Sequence, residues 1–297
     1  MKKMILTAAV TMMASSAAVA AKGTTEYYFQ PSAGASALTV VYGMMADPAK
    51  TEASGGGAES DLKTTTSDLG LDYAYGLSET MARGAYTMYG SLKQEYGTAS
   101  ETATGLGDIH LYMKGFADMI HYGVDLGINM GKAKQKTASS AFTNRTSGGL
   151  SLKANVGVMM NSASWNYGGD LSYMMPLERS YEGDPTGGGK FKGGNTAKLA
   201  GFGEYNWGMG FAGAELAYLM RDDTTVTPDT GAESKLKGES FLALTAYGTY
   251  DFNDMVSGLA SLGVENHTSH DLTDATGSSK VKAYMGTNVA LGVRVHF

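Results

Sequence analysis

The end of the chain alternates between two kinds of residue. From Val281 to Phe297 the odd-numbered positions are mostly apolar, whereas the even-numbered positions are polar or small. A repeat of two places successive side chains on opposite faces of a β-strand. The run is roughly three times as long as the mean strand of a globular protein, about 5–6 residues. The sequence therefore predicts a long strand with one apolar face and one polar face.

The same alternation recurs upstream, and the segments between the alternating stretches fall into two length classes. Very short turns alternate with longer segments rich in Gly, Ser, Thr, Asp and Lys, a composition typical of loops. We predict the long loops at 47–60, 93–107, 132–147, 177–195, 221–239 and 266–280. The predicted strands cover 36–46, 60–77, 81–92, 108–116, 120–131, 149–160, 164–175, 196–205, 209–220, 239–251, 255–265 and 281–297.

An even number of strands, joined alternately by short turns and long loops, is the pattern of an outer-membrane barrel. After residue 22, no apolar run approaches the ~18–20 residues that a spanning helix needs. In lipid a sheet must close on itself, because every backbone amide needs a partner. We therefore predict an all-β fold, a membrane-spanning closed antiparallel up-and-down β-barrel of about 12 strands with short periplasmic turns and long extracellular loops. A soluble β-sandwich, which also alternates, is the alternative.

The sequence divides into three predicted parts. Residues 1–21 have the features of a secretory signal peptide, with Lys2 and Lys3 before an apolar stretch and small residues at the cleavage site. Residues 22–35 form an N-terminal periplasmic or lumenal segment, which either constricts the pore partially or serves as a disordered tether. Residues 36–297 form the barrel. An exported barrel of this kind is expected in the outer membrane, in contact with lipid and lipopolysaccharide.

Composition narrows the possible functions. The 297 residues include 41 glycines and no cysteine, so a disulfide framework, a thiol nucleophile and Cys-based zinc sites are excluded. The 29 acidic residues outnumber the 23 basic ones, which argues against a nucleic-acid partner. Aromatic residues cluster near predicted strand ends, where a barrel carries its interfacial girdles.

The last strand resembles the C-terminal signature of Gram-negative outer-membrane barrels. It runs from Val289 to the C-terminal Phe297, and the resemblance implies that the barrel-assembly machinery reads this final aromatic residue. A shorter likeness lies in Gly105-Leu106-Gly107-Asp108-Ile109, which is similar to a motif opening a strand in barrels of hydrophobic-compound and phenol-pathway transporters. No functional residue is assigned from this motif.

The alternation along each predicted strand puts its polar residues on one face, and we place this face in the lumen. The polar face carries a mixture of acidic and basic groups. Near the periplasmic turns, a charged ring that sets ion selectivity is expected from Arg83, Lys114, His121, Glu204, Arg294 and His296. The alternative is that these residues pair with Asp72 and Asp125 to satisfy buried charge. The predicted pore-lining residues are Asp72, Arg83, Asp108, His110, Lys114, His121, Asp125, Lys153, Asp170, Lys198, Glu204, Glu215, Glu265, Lys282, Arg294 and His296.

These features favour a channel that allows passive diffusion of small polar solutes through a narrow lumen. Two alternatives remain open, namely a structural or surface-interaction barrel with a side-chain-filled lumen and a hydrophobic-compound transporter. Enzyme activity is not expected. His267-Thr268-Ser269 has the His and Ser spacing of the outer-membrane phospholipases, but the Asn-Gly that follows in that family is absent. Gly187-Gly188-Gly189-Lys190 lacks the remaining elements of a phosphate loop, and no cofactor or metal is predicted.

Overall fold

A computed structural model describes residues 27–53, 59–96, 99–131, 133–136, 144–146, 149–184, 187–229, 233–274 and 277–297. The predicted signal peptide and residues 22–26 lie outside the described residues. Within the described ranges, no helix is long and apolar enough to cross a membrane.

The described residues form strands throughout. They are β1 Ser36–Ala53, β2 Glu59–Ser78, β3 Met81–Tyr96, β4 Ala99–Leu106, β5 Ile109–Ala117, β6 Ile120–Ile128, β7 Ala133–Lys136, β8 Ser151–Ser162, β9 Trp165–Pro176, β10 Arg179–Asp184, β11 Gly188–Lys192, β12 Thr196–Asn206, β13 Gly210–Arg221, β14 Thr224–Pro228, β15 Ser234–Leu236, β16 Ser240–Asp251, β17 Val256–His267, β18 His270–Asp274, β19 Gly277–Val281 and β20 Tyr284–His296.

Twelve of these strands form a closed antiparallel barrel. The order around the wall is β1, β2, β3, β5, β6, β8, β9, β12, β13, β16, β17 and β20. Strand β20 then pairs with β1, from Ala37 opposite His296 to Ala46 opposite Thr287, and closes the sheet. The predicted all-β closed barrel of about 12 strands is confirmed, and most strand boundaries agree with the sequence pattern to within three residues.

The two rims of the barrel differ. At one rim, which we call the turn end, neighbouring strands are joined by two to four residues, at 79–80, 118–119, 163–164, 207–209 and 252–255, and the C-terminal Phe297 lies beside Ser36. At the opposite rim, the loop end, the connections are longer. The segments predicted as long loops contain further strands, namely β4, β7, β10, β11, β14, β15, β18 and β19.

Most of these loop-end strands continue the wall on one side of the molecule. They share a small core formed by Ala133, Tyr181, Phe191, Val226 and Leu272. Each of these strands has only three to eight residues and carries few apolar side chains between polar ones. The alternating pattern in each of these strands is therefore too short to distinguish the strand from a loop by sequence alone.

The alternation of β20 determines which side chains face outward. The exposed fractions are 61% for Met285, 62% for Leu291 and 46% for Val293, whereas Gly286 and Arg294, at the intervening positions, are buried. Outward-facing leucines on other strands have similar exposed fractions, 61% for Leu199 and 58% for Leu216. The barrel thus has an apolar outer face and a polar inner face, the arrangement that acyl chains outside and water inside require.

The barrel lumen as candidate functional site

The chain preceding β1 lies inside the barrel at the turn end. We call residues 27–35 the plug. The Gly34 N–H donates to the Gly76 carbonyl at 2.9 Å, and the Gly76 N–H donates to the Ala35 carbonyl at the same distance. Phe29 is 1% exposed and packs against Ala37 and Ala74. Residues 27–35 therefore lie in the lumen, in contact with the wall.

The first residues of the plug are fixed by aromatic contacts and by two acidic residues of the wall. The Tyr27 ring stacks on Phe202 with centroids 4.0 Å apart and planes 3° from parallel. The Tyr27 backbone N–H donates to Glu204 Oε2 at 3.0 Å, and its hydroxyl donates to Glu215. The Tyr28 hydroxyl donates to the Gly169 carbonyl at 3.1 Å. This part of the lumen is filled by the plug and the wall side chains that hold it.

Several residues predicted to form a charged ring surround the plug. Lys114 Nζ lies 5.3 Å and the Arg294 guanidinium 5.0 Å from the centre of the Phe29 ring, a cation–π arrangement. The His121 ring contacts Tyr28, and Glu204 is fully buried. The structure thus brings four of the predicted ring residues together around an inserted segment, where they contact the plug.

Three other predicted positions lie apart from this group. His296 is near the turn end, with Nε2 3.3 Å from Ser257 Oγ. Arg83 lies on the outer face beside Tyr75, 5.8 Å from its ring, because the inner face of β3 carries Tyr86, which stacks on His110. Lys282 lies outside the lumen at the loop end, where it bonds Glu59 and is 3.3 Å from Glu52.

Above the plug, many of the charged groups of the lumen form pairs. Lys198 Nζ is 2.8 and 2.7 Å from the two carboxylate oxygens of Glu215. His110 Nδ1 is 2.8 Å from Asp125 Oδ1. Such pairing removes most of the cost of burying the charge. These four titratable side chains of the lumen therefore lie in two pairs.

The remaining predicted acids of the lumen also have polar partners. Asp72 accepts a hydrogen bond from the Tyr112 hydroxyl at 2.9 Å. Asp170 is buried and lies 3.4 Å from the Asn155 amide nitrogen. The lumen wall therefore contains a network of polar contacts across neighbouring strands.

A segment of the loop end also enters the lumen. Arg145 Nη2 donates to both carboxylate oxygens of Asp68, at 2.8 and 2.7 Å, and both side chains are nearly buried. The next residue, Thr146, donates through its hydroxyl to Asp108, whose Oδ1 also accepts from the Met130 N–H at 3.4 Å. Sequence reasoning missed Arg145, because it lies in a polar segment predicted as a loop and nothing in the pattern directs it inward.

Between the plug and the loop end the lumen contains a cavity of about 260 Å³. Four of the predicted pore-lining residues, Lys153, Lys198, Glu215 and Glu265, line it. Methionine and aromatic side chains contribute as well, which gives the cavity both charged and apolar surface. The apolar part of the lining comes from Met45, Met88, Met174, Leu219, Phe191 and Phe241.

A cluster of rings and acids lies at the loop end of the lumen. His267 is 1% exposed and stacks between Phe241 and Tyr284, each with ring centroids 4.3 Å away. Its Nδ1 is 3.2 Å from Glu239 and its Nε2 is 3.1 Å from Glu265. The sequence favoured a solvated loop for His267, yet the end of β17 carries it into the barrel. Among the described residues, no group of His, Asp and Glu is arranged to hold a metal ion.

The wall divides at one position. Strand β3 pairs with β4 through residues 89–96 and with β5 through residues 81–86. Strand β6 pairs with β5 up to Ile128, which lies opposite Ile109. Beyond Ile128 the chain turns away from β5 and continues to β7, which pairs in parallel with β10. Within the described ranges, β4 pairs only with β3. The wall is therefore split between β4 and the chain that follows β6.

Comparison with known proteins shows the fold. No family model and no curated protein matches the chain. A COG4313 outer-membrane channel from Pseudomonas putida F1 superimposes with a TM-score of 0.61 at 12% identity, covering 89% of this chain and 96% of that one. The CymD monoaromatic hydrocarbon channel gives 0.46 at 11% identity over 94% of both chains. The β domain of the Bordetella autotransporter Brka gives 0.49 at 12% identity over 87% and 99%. The chain has the fold of outer-membrane β-barrels.

Proposed function

We propose that the protein is an outer-membrane channel for small polar solutes, with its turn end in the periplasm and the plug as its closure. The observation that carries the proposal is a cavity inside a polar-lined barrel whose turn end is occupied by a separate segment of chain. A barrel with a purely structural role is expected to fill its lumen with wall side chains. Similarity in fold to an outer-membrane channel supports this reading.

The contacts of the plug are compatible with opening. The plug is held by hydrogen bonds and ring contacts, and it continues directly into β1. Such contacts can be broken without disturbing the pairing of the wall strands. The barrel would therefore stay closed as a sheet while the lumen opens toward the periplasm.

Hydrophobic-compound transport is a second candidate, and a specific feature favours it. The split in the wall beside β4 offers a side route, and Met88 on the adjacent strand β3 lines the cavity. A small apolar molecule in the outer leaflet would reach the methionine and aromatic part of the lining by this route. The polar solute is preferred as the primary proposal because paired and unpaired charges line the same cavity.

The test is permeation through the purified full chain in planar bilayers and liposomes, with Phe29→Ala as the variant. Removing the buried Phe29 ring should loosen the plug, so we expect conductance and arabinose entry to rise several-fold. Phe252→Ala is the matched control, because Phe252 lies in a turn and is 64% exposed. Correct folding is checked by heat-modifiable electrophoretic mobility.

The outcomes separate the alternatives. Absence of arabinose entry and conductance in both the wild type and Phe29→Ala, with normal folding, would favour a structural or surface-interaction barrel. Entry of phenol without entry of arabinose would favour hydrophobic-compound transport. Phe297 lies at the turn end and is 64% exposed, and its recognition by the barrel-assembly machinery stays a prediction.

A further inference from the structure

One acidic residue of the lumen has a buried carboxylate oxygen without a hydrogen-bond partner in the described part of the chain. Asp47, on the inner face of β1, is 5% exposed, and its Oδ1 has no hydrogen-bond partner among the described residues. A buried carboxylate without a partner is costly, and in native proteins such a group usually has a structural or functional reason. Asp47 neighbours Met45, the preceding inward residue of β1, which lines the cavity.

The position of Gly286 brings a second carboxylate next to Asp47. Gly286 pairs with Glu265 on β17. On its other side the pairing of β20 with β1 ends at Thr287 opposite Ala46, so Gly286 and Asp47 are the residues that follow the last pair. A Cβ at position 286 would lie 2.2 Å from Asp47 Oδ1, so the Asp47 carboxylate occupies the space above the glycine. It therefore extends toward the strand of Glu265. The two inward carboxylates form an acidic notch over a residue without a side chain.

Two basic residues of the same lumen have no ion-pair partner within the described ranges. Arg179, at the start of β10, is 8% exposed, and its Nε has no hydrogen-bond partner among the described residues. Its guanidinium lies 4.0 Å from the centre of the Phe191 ring. Lys153 faces the lumen from β8 without a carboxylate in ion-pair distance in the described part of the chain, and its cross-strand neighbour Asp125 is bonded by His110.

The acidic notch and these two bases lie on opposite sides of the barrel. Around the wall, β8 stands six strands from β20, which is half of the circumference of a twelve-stranded barrel. Lys153, Arg179 and Glu265 line the same cavity. Lys198 also lies on the basic side, but it is neutralised by Glu215. The cavity therefore has a positive side, where Lys153 and Arg179 have no ion-pair partner among the described residues, and an acidic side, where Glu265 is bonded by His267 and Asp47 Oδ1 has no hydrogen-bond partner.

We propose that this cavity binds a small zwitterion, with its ammonium group between Asp47 and Glu265 and its carboxylate against Arg179 and Lys153. A ligand of this class satisfies both buried charges at once, whereas a singly charged solute satisfies one and leaves the other unpaired. The apolar lining between the two sides suits a short methylene chain. The inference rests on the proposed function in one respect, because the zwitterion must be able to reach the lumen from the surrounding water.

The experiment measures binding and permeation separately, on the full chain. Isothermal titration of the purified protein in detergent micelles compares 6-aminohexanoate with hexanoate and hexylamine, which carry one charge each on a chain of the same length. We expect 6-aminohexanoate to bind at least about tenfold more tightly than either, the scale of one charge-assisted contact. Entry of 6-aminohexanoate into proteoliposomes is then measured with the same preparation.

Two variants remove one side of the site each. Asp47→Asn should lower the affinity for 6-aminohexanoate and hexylamine roughly tenfold and leave that for hexanoate unchanged. Arg179→Gln should weaken 6-aminohexanoate and hexanoate and spare hexylamine. Asp61→Asn, on the exposed outer face of β2, is the matched control and should change none of the three. Heat-modifiable mobility shows whether each variant is folded.

The inference is overturned if 6-aminohexanoate binds no more tightly than hexanoate and hexylamine, or if neither variant changes the preference. Arabinose entry with such a result would leave the channel proposal standing. Binding of 6-aminohexanoate without entry of either solute would instead support the zwitterion site and contradict the channel proposal.

Discussion

The alternation along a strand predicts which way some side chains point, and for other side chains this prediction fails. Residues such as Lys114, Asp125 and Glu215 point into the lumen, as the alternation of their strands predicts. Arg83 does not, since the inner face of β3 carries the even-numbered residues, such as Ala82 and Tyr86. Lys282 lies in the short segment between β19 and β20, outside both strands. The alternation within β20 therefore does not determine which way its side chain points. Among the described residues Asp47 Oδ1 has no hydrogen-bond partner, which depends on its neighbours in space and is not specified by the sequence alone.

Glu204 is the residue on which the seating of the plug depends most directly. It is fully buried and accepts hydrogen bonds from the Tyr27 N–H at 3.0 Å, the Asn166 amide at 2.8 Å and the Tyr247 hydroxyl at 3.2 Å. In Glu204→Gln one acceptor oxygen becomes an amide donor that faces existing donors. We expect plug attachment to weaken by about 1–3 kcal/mol.

Hydrogen exchange of the peptide containing Tyr27 measures this effect and should become faster in Glu204→Gln. Glu79→Gln, in an exposed turn at the same rim, is the control and should leave the exchange rate unchanged. Equal protection of Tyr27 in wild type and Glu204→Gln would show that Glu204 does not hold the plug.

At the scale of elements, the barrel strands could be predicted from the sequence and the loop-end structure could not. Twelve long alternating stretches mark the wall, because each must present one face to lipid and the other to the lumen. The loop-end strands lie in water on at least one side and share a core of only a few residues. Their local pattern therefore resembles that of loops. Residues 144–146 enter the lumen, where Arg145 forms an ion pair with Asp68 of β2 and Thr146 bonds Asp108.

That ion pair provides a test of the inserted loop segment. Arg145→Gln removes the partner of Asp68 inside the lumen, so we expect the segment to leave its position and single-channel conductance to increase in the background of Phe29→Ala. Asp68→Asn should give a similar increase, and the double variant should add little to either single variant, because the two residues act as one unit. Lys93→Gln, an exposed lysine on β3, is the control.

An unchanged conductance in Arg145→Gln would place the inserted segment away from the permeation path. Strictly additive effects of the two substitutions would show that Asp68 and Arg145 act independently, contrary to the bidentate contact.

At the scale of the whole molecule, the two-residue alternation that predicts the strands also assigns one face of each strand to lipid and the other to the lumen. Leu291 lies in the middle of β20 and points outward. A lysine there must enter the hydrocarbon region, at a cost of about 2–4 kcal/mol near the bilayer midplane. Leu291→Lys should therefore reduce the free energy of unfolding from vesicles by this order, as measured by urea titration.

Ala290→Lys is the matched control for Leu291→Lys, because position 290 faces the lumen and tolerates charge far better. Equal destabilisation by the two lysines would contradict the assignment of the outer face to lipid.

The direct continuation of the plug into β1 limits how far it can travel. Residues 27–35 join the wall at Ser36, whose backbone is bonded to Phe297 at the closing seam of the barrel. Even fully extended, nine residues reach only about 30 Å. A displaced plug therefore stays near the mouth that it left, and its return is a unimolecular event. Channel closure should follow brief openings at a rate that does not depend on protein concentration, with the seam as the pivot.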